Sequence, residues 1–324
     1  MVRLVLAAAL IVPSGTIAAQ SLVITNKQDA TASIISLADG KTVAVLPTGD
    51  GPHEVAVSAD GKLAVVTDYG AQLAGRTLTV IDVGTRRVLA THPFGDHQRP
   101  HGIAFLPDNR TVVVTAERGG AIVLIDAVTG AVTAEHAVGQ PLGHMVALSP
   151  DAKTAYTANI QPGTLSIIDL AGGSDPVVIK VGTQTEAIAA APDGRTVWLG
   201  SNNTGLVFVV DLNSRQVIDS VQTSGFPYRI AFTPDAALAI VTNPESDEIW
   251  LIEATTRAIR TRVDLSSSQG GKRRPFGIVV APAGDRAWVT MSASAEVAEI
   301  DLRTGTVARW MATGQVPDGI GYAR

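Results

Sequence analysis

The 324-residue sequence contains no cysteine. That absence excludes disulfides, iron–sulfur ligation, thiolate catalysis and covalent c-type haem attachment, so stability has to come from packing. Aromatic residues are scarce at 4%, and charged residues make up 17% against roughly 25% in ordinary domains. A formal charge of −5 without a basic stripe between aromatics removes the electrostatic footprint of a nucleic-acid binder, so no nucleic-acid partner is expected. A phosphate loop, a dinucleotide glycine fingerprint and a Gly-x-Ser-x-Gly elbow are all missing, which leaves no nucleotide motif and no serine triad. His53-Glu54 begins like a zincin helix motif, but Val57 stands where its second histidine belongs. Beyond the first 20 residues no window carries a helical period.

One apolar run stands out, Leu4 to Val12, preceded by Arg3 and followed by the small-residue stretch Thr16-Ile17-Ala18-Ala19. It is too short to span a bilayer and has the layout of a cleaved secretory signal. Residues 1–19 are therefore expected to be a signal peptide. The remainder, residues 20–324, is expected to act in the periplasm or as a secreted protein, with no membrane span and as a monomer.

What fills the rest is a repeat. An apolar run ending in a turn acid recurs at Asp60, Asp108, Asp151, Asp193 and Asp235, with Ala283 in the same place later. These intervals of 42 to 48 residues match the period of a four-stranded propeller blade. A second series, an acid closing an apolar strand, runs through Asp82, Asp126, Asp169, Asp211, Glu253 and Asp301, with Ser36 as its first and weakest member. Seven members predict seven blades. Pro317 to Tyr322 reads as an innermost strand without a blade of its own, completed by the N-terminal strands Ser21 to Thr25, Thr31 to Ser36 and Thr42 to Leu46. The expected fold is thus an all-β, seven-bladed propeller of four-stranded antiparallel blades in a single domain, closed by pairing of the two chain ends.

The repeat has its own irregularities. The interval between the two landmark series is 18 residues in five blades but 22 from Asp60 to Asp82, which places an insertion around 68–76. A second insertion falls in 266–274. Both connections belong to one face of a propeller, and elaboration of one face marks the binding face of a repeat scaffold.

At one equivalent position, the start of each innermost strand, the residues are His53, His101, His144, Glu186, Tyr228, Phe276 and Asp318. Three imidazoles in successive blades, flanked by carboxylates, form a set that could hold a divalent metal; Zn, Mn, Fe, Cu and Ca are not distinguished. The expected metal ligands are His53, His101, His144 and Glu186, with Glu186, Asp68 or Glu117 as the catalytic acid or base. Asp68 and Asn159 belong to a further ring, at the ends of the second strands, expected to face the same mouth. Glu54, Tyr69, Asn159, Tyr228, Arg229, Phe276 and Arg274 are the expected ligand-binding residues, the arginines suiting an anionic, partly apolar ligand. The competing reading makes Pro-His a strand-start dipeptide, and the Asn and Asp residues turn formers that bond the local backbone.

The segment Ser149-Pro150-Asp151, Tyr156-Thr157-Ala158-Asn159 and Gly163 to Asp169 resembles the YVTN propeller repeat, and the likeness covers nearly all of the mature chain. The chain is similar to the secreted or periplasmic YncE-like proteins, and more distantly to propellers of lactonases, streptogramin lyase, haem d1 domains and nitrous oxide reductase. That resemblance implies an active site at the channel mouth using a metal or a histidine, with hydrolysis or elimination as the reaction. It equally admits a non-catalytic binding or scaffold propeller engaging a protein, glycan or cell-envelope partner.

Overall fold

The fold was determined from a computed structural model and is described for residues 20–266 and 271–324. The expected signal peptide, residues 1–19, lies outside the described residues, as does part of the second insertion, 267–270. The described residues form 28 strands and no helix. Every sheet has four strands and there are seven sheets, as the repeat predicted.

Six blades are simple meanders. In blade 2 the strands are Pro52–Val57, Leu63–Asp68, Thr77–Asp82 and Arg87–Pro93, from the channel outward. Blades 3 to 7 begin at Pro100, Gly143, Thr185, Arg229 and Pro275. Blade 1 is shared between the chain ends, because the strand Pro317–Ala323 pairs antiparallel with Ser21–Asn26, Ser21 opposite Ala323 and Leu22 opposite Tyr322. This pairing completes the first blade from both chain ends and so closes the ring.

Burial explains the composition. The two middle strands of each blade are sandwiched between neighbouring blades, so Leu63–Asp68 and Thr77–Asp82 are almost wholly buried and read as continuous apolar runs. The outermost strand Arg87–Pro93 alternates exposed and half-buried positions, the period-two pattern of a one-sided sheet. Core clusters accordingly lie between blades; one joins Val65, Leu78, Val80 and Phe94 of blade 2 to Val112, Val114, Val123 and Ile125 of blade 3. The acids that mark the period are turn formers: Asp60 accepts from the Ser58 hydroxyl at 2.7 Å and the Lys62 N–H at 3.1 Å, and Asp151 repeats the pattern with Ser149 and Lys153.

A ring of buried threonines stitches the blades together near the axis. Thr67 accepts from the Glu54 N–H in its own blade at 3.0 Å and donates to the His101 carbonyl of the next at 3.0 Å. Thr115 does the same with the Gly102 N–H and the His144 carbonyl, Thr242 with Arg229 and Phe276, and Thr290 with Gly277 and Asp318. In blades 2, 3 and 7 the hydroxyl stands at a register shift of the innermost strand, between Pro52 and Val55, Pro100 and Ile103, and Pro275 and Ile278, and in all four it holds the neighbouring blade's axial residue by its carbonyl. In blade 5 the equivalent residue is Gly200, where a Cβ would come within 2.6 Å of the Pro227 carbonyl oxygen. The neighbouring chain passes too close there for a threonine.

Candidate functional site

The innermost strands start from an unusual backbone. The residue two positions before the axial one has positive φ in six blades: Gly51, Arg99, Leu142, Gln184, Arg274 and Val316, at +47° to +58°. Five of these six are not glycine, and a left-handed conformation costs such residues about 1 kcal/mol or more. The turn sends the next side chain but one inward, so His53, His101, His144, Glu186, Phe276 and Asp318 converge at one mouth of the channel, where Tyr228 joins them without it.

Their contacts form an almost continuous chain around the axis. Tyr228 donates to Asp318 Oδ1 at 3.4 Å, and Asp318 Oδ2 lies 3.3 Å from Lys27 Nζ and 3.0 Å from His53 Nδ1. The Nε2 atoms of His53 and His101 are 3.0 Å apart. The His101 and His144 rings pack with centroids 3.5 Å apart, tilted by 35°. His144 Nδ1 lies 3.0 Å from Glu117 Oε2, and its Nε2 lies 3.5 Å from Glu186 Oε1. Arg229 closes the circle, pairing with Glu186 at 3.4 Å and with Glu54 through a short contact that adds to its Nε bond at 3.1 Å.

The electrostatics follow from burial. His101 is fully buried, and desolvation followed by the charges of His144, His53, Arg229 and Lys27 pushes its pKa well below the usual value. It is therefore neutral. Its Nδ1 has no hydrogen-bond partner, so whichever tautomer it adopts, one ring nitrogen stays buried and unsatisfied. Burial works to lower the pKa of His144, but hydrogen bonds and the charges of Glu117 and Glu186 outweigh it and raise it. Glu186 shows the complement: burial would raise it, yet the His144 hydrogen bond and the charges of His144 and Arg229 hold it at about 2. Burial first, and then Glu117, push the Tyr69 hydroxyl up to about 12, which keeps it a proton donor.

Two sets of ligand atoms come close enough to share a cation. His101, Glu117 and His144 form one, and His53, Glu54 and Asp318 the other; within each set the atoms lie within 4.8 Å of one another. In the second set both carboxylates are already matched by fixed cations, Asp318 by Lys27 and Glu54 by Arg229. In the first, among the described residues, the Glu117 carboxylate is in ion-pair or hydrogen-bond contact with His144 and the Tyr69 hydroxyl, at 3.0 Å each, while the Arg99 guanidinium acts on it from farther off.

The residues singled out in the sequence divide accordingly. The structure brings together His53, His101, His144, Glu186, Glu54, Glu117, Tyr69, Tyr228, Arg229 and Phe276, the last stacked on Tyr228 with centroids 4.3 Å apart. Tyr69 comes from the first insertion and sits edge-on to both His53 and His101 at 5.2 Å, backed by the Arg99 guanidinium. Asp68 and Asn159 point elsewhere. The Asp68 carboxylate accepts from Thr77, Thr79 and the Gly49 N–H, while Asn159 donates to Thr164 and Ser166, so both tie second strand to third inside their own blades. Successive strand residues face opposite ways, so the ring at the second-strand ends turns into the blade and the residue after it, Tyr69 or Glu117, reaches the mouth. Arg274 is exposed, and it is its backbone N–H that bonds to Asp247. Arg229 is not an open anchor, since Glu54, Glu186 and the Tyr228 carbonyl occupy its guanidinium.

Sequence reasoning missed Lys27 and Asn202, which bond to Asp318 and Glu186. Both occupy the repeat position of Tyr69 and Glu117, directly after a second strand. That shared position was the signal that could have found them.

No protein-family model and no curated protein matches the sequence. Solved structures do. A chain of Kuenenia stuttgartiensis hydrazine synthase superposes with a TM-score of 0.74 at 19% identity, over 84% of this chain and 89% of that one. A functionally unknown protein from Desulfotomaculum acetoxidans gives 0.75 at 14%, over 94% and 99%. Dihydro-heme d1 dehydrogenase NirN in complex with DHE gives 0.65 at 17%, over 90% of this chain but only 63% of its own. At these identities the likeness is one of fold, and the chain is a seven-bladed β-propeller of the architecture these structures share.

Proposed function

We propose that the channel mouth binds a divalent metal through His101, His144 and Glu117, and that this centre holds a small-molecule ligand for hydrolysis or elimination. The observation that carries it is the buried, partnerless Nδ1 of neutral His101, beside a carboxylate and an imidazole that no fixed cation neutralises. A metal-ligating histidine usually donates its second ring nitrogen to an acceptor, and His101 Nε2 has one in His53 Nε2 at 3.0 Å. Two imidazoles and one carboxylate suit Zn, Fe or Cu better than Ca, which gathers six to eight oxygens.

A metal held there would act as a Lewis acid or lower the pKa of a bound water. The chain's own groups do the rest. Tyr69, protonated at neutral pH, offers a donor beside Glu117. Glu186, fully ionised, stands 3.5 Å from His144 Nε2, where it would accept that N–H and orient the ring. Tyr228 and Phe276 form an apolar wall, and Arg229 holds Glu54 and Glu186 in position. Residues 1–19 favour a site of action in the periplasm or outside the cell. Among the described residues, no helix is long and apolar enough to cross a membrane.

The test is elemental analysis of the purified mature protein and of His101→Ala and His144→Ala. About one bound divalent metal per chain that both variants lose supports the proposal. A metal-free wild type that also ignores added Zn, Mn, Cu and Fe overturns it and leaves the non-catalytic scaffold reading.

A further inference from the structure

The opposite face of the ring carries a second cavity, unconnected with the histidines. It lies where blade 7 meets blade 1 and has a volume of about 520 Å³, within the few-hundred to thousand Å³ range of small-molecule sites. Its lining includes Trp288, Tyr322, Arg286, Arg309 and Glu299.

Three features give the cleft a chemical character. Arg286 and Arg309 share one carboxylate, Glu299, at 2.7 and 2.6 Å, and Asp285 and Arg324 add one further charge of each sign to the lining. The carboxylate is buried, whereas the two arginine side chains stay about one-third exposed, 36% and 32%; Arg286 spends Nη1 on Glu299, and Arg309 spends Nε on Glu299 and Nη2 on the Leu37 carbonyl, which leaves N–H groups on both for a ligand. Such a clamp orders the arginines without exhausting them, and a guanidinium fork matches a carboxylate in two-point contact. Trp288 and Tyr322 stack beside it with centroids 5.5 Å apart and planes 23° from parallel. The Trp288 indole N–H is buried without an acceptor, which an intact core rarely tolerates.

We infer that this cleft is a second binding site, for a small organic carboxylate with a flat apolar body. The ring would lie along the Trp288–Tyr322 wall and the carboxylate would meet the outward donors of Arg286 and Arg309. The site depends on the seam between the first and last blades and not on the axial cluster.

Calorimetric titration of the mature protein with benzoate, and with benzyl alcohol as its neutral counterpart, tests this. Saturable benzoate binding that weakens about tenfold in Arg286→Gln and in Arg309→Gln, and persists in His101→Ala, is the expected result; tenfold is the loss of one charge-assisted hydrogen bond. Benzyl alcohol is expected not to saturate. Because both arginines are partly exposed, these substitutions leave the core in place. Trp288→Phe, which keeps an aromatic ring but removes the indole N–H and the five-membered ring, is expected to weaken binding as well. No saturable benzoate binding in wild type, equal binding of benzyl alcohol, or unchanged affinity in both arginine variants overturns the inference. So does loss of binding in His101→Ala, which would move the benzoate to the axial mouth.

Discussion

His53 and His101, in adjacent blades, face each other through their Nε2 atoms at 3.0 Å, and His53 in turn stands 3.0 Å from Asp318 through Nδ1. In this pair either ring can donate; with Nε2–H of His101 given to His53, the lone pair of His101 Nδ1 would be free for a metal. His53→Ala removes that acceptor while leaving the proposed ligands in place. Its metal affinity is expected to fall about 10- to 100-fold, against complete loss in His101→Ala, by competition with a chromogenic chelator. Equal loss in both variants would make His53 a ligand.

The proposed metal binding would also have a thermal signature. A ligand held by the native state alone, at 100 times its dissociation constant, adds about 2.7 kcal/mol. Scanning calorimetry of apo protein with and without added Zn is expected to show a midpoint rise of several degrees, absent in His144→Ala.

Asp68 offers a pH test with a definite sign. Burial outweighs its hydrogen bonds to Thr77, Thr79 and Gly49 and raises its pKa from 3.8 to about 6. The folded state then holds the proton more tightly than the unfolded one, so stability from this group is complete below pH 3.8 and lost as pH rises through about 6. Asn26, at the same repeat position, makes the equivalent bonds to Thr31 and Ser33 as a neutral amide. Asp68→Asn is therefore expected to be more stable than wild type by about 1–3 kcal/mol at pH 7, the gain fading toward pH 4. Denaturant unfolding at both pH values checks it; a pH-independent difference would contradict it.

Thr115→Val deletes one hydroxyl and two hydrogen bonds, leaving the Gly102 N–H and the His144 carbonyl buried. A cost of about 2–3 kcal/mol is expected in urea unfolding. Because His144 is displaced along with its backbone, metal affinity should fall too, which an equally destabilising substitution in an outer strand should not produce.

Gly200→Ala places a Cβ 2.6 Å from the Pro227 carbonyl oxygen and 3.0 Å from the Ala187 side chain. Backbone cannot yield as a flexible side chain can, so this one-carbon addition is expected to cost about 2 kcal/mol or more, read as a lower midpoint in thermal unfolding.

The blades were legible in the sequence because every repeat spells its turns with the same chemistry. Asp60 and Asp151 recur since each closes a turn with its own carboxylate, and in five of the seven blades a threonine before the second-strand end recurs since it bridges two blades. The axial column was legible for the same reason, as a fixed offset within the period. Asp68 and Asn159 were misplaced by a single residue, and in a strand one residue is the difference between facing the axis and facing the blade interior. Lys27 was hidden because its blade is split between the chain ends, so its neighbour in space, Asp318, is 291 positions away. The clamp of Arg286, Arg309 and Glu299 has no counterpart in other repeats and could not be read from periodicity.

The split blade ties the axial site to the completion of the ring. Asp318 arrives on the last strand and Lys27 directly follows the second strand of the same blade, so neither can reach His53 before the two chain ends have paired. Drawing together residues so distant in sequence is entropically slow, and it comes late in the assembly of a propeller. The His53–Asp318 contact is thus completed only with the ring: blades 3 and 4 hold His101, Glu117 and His144 within one stretch of chain, but the carboxylate beside His53 is in place only once the two ends have paired.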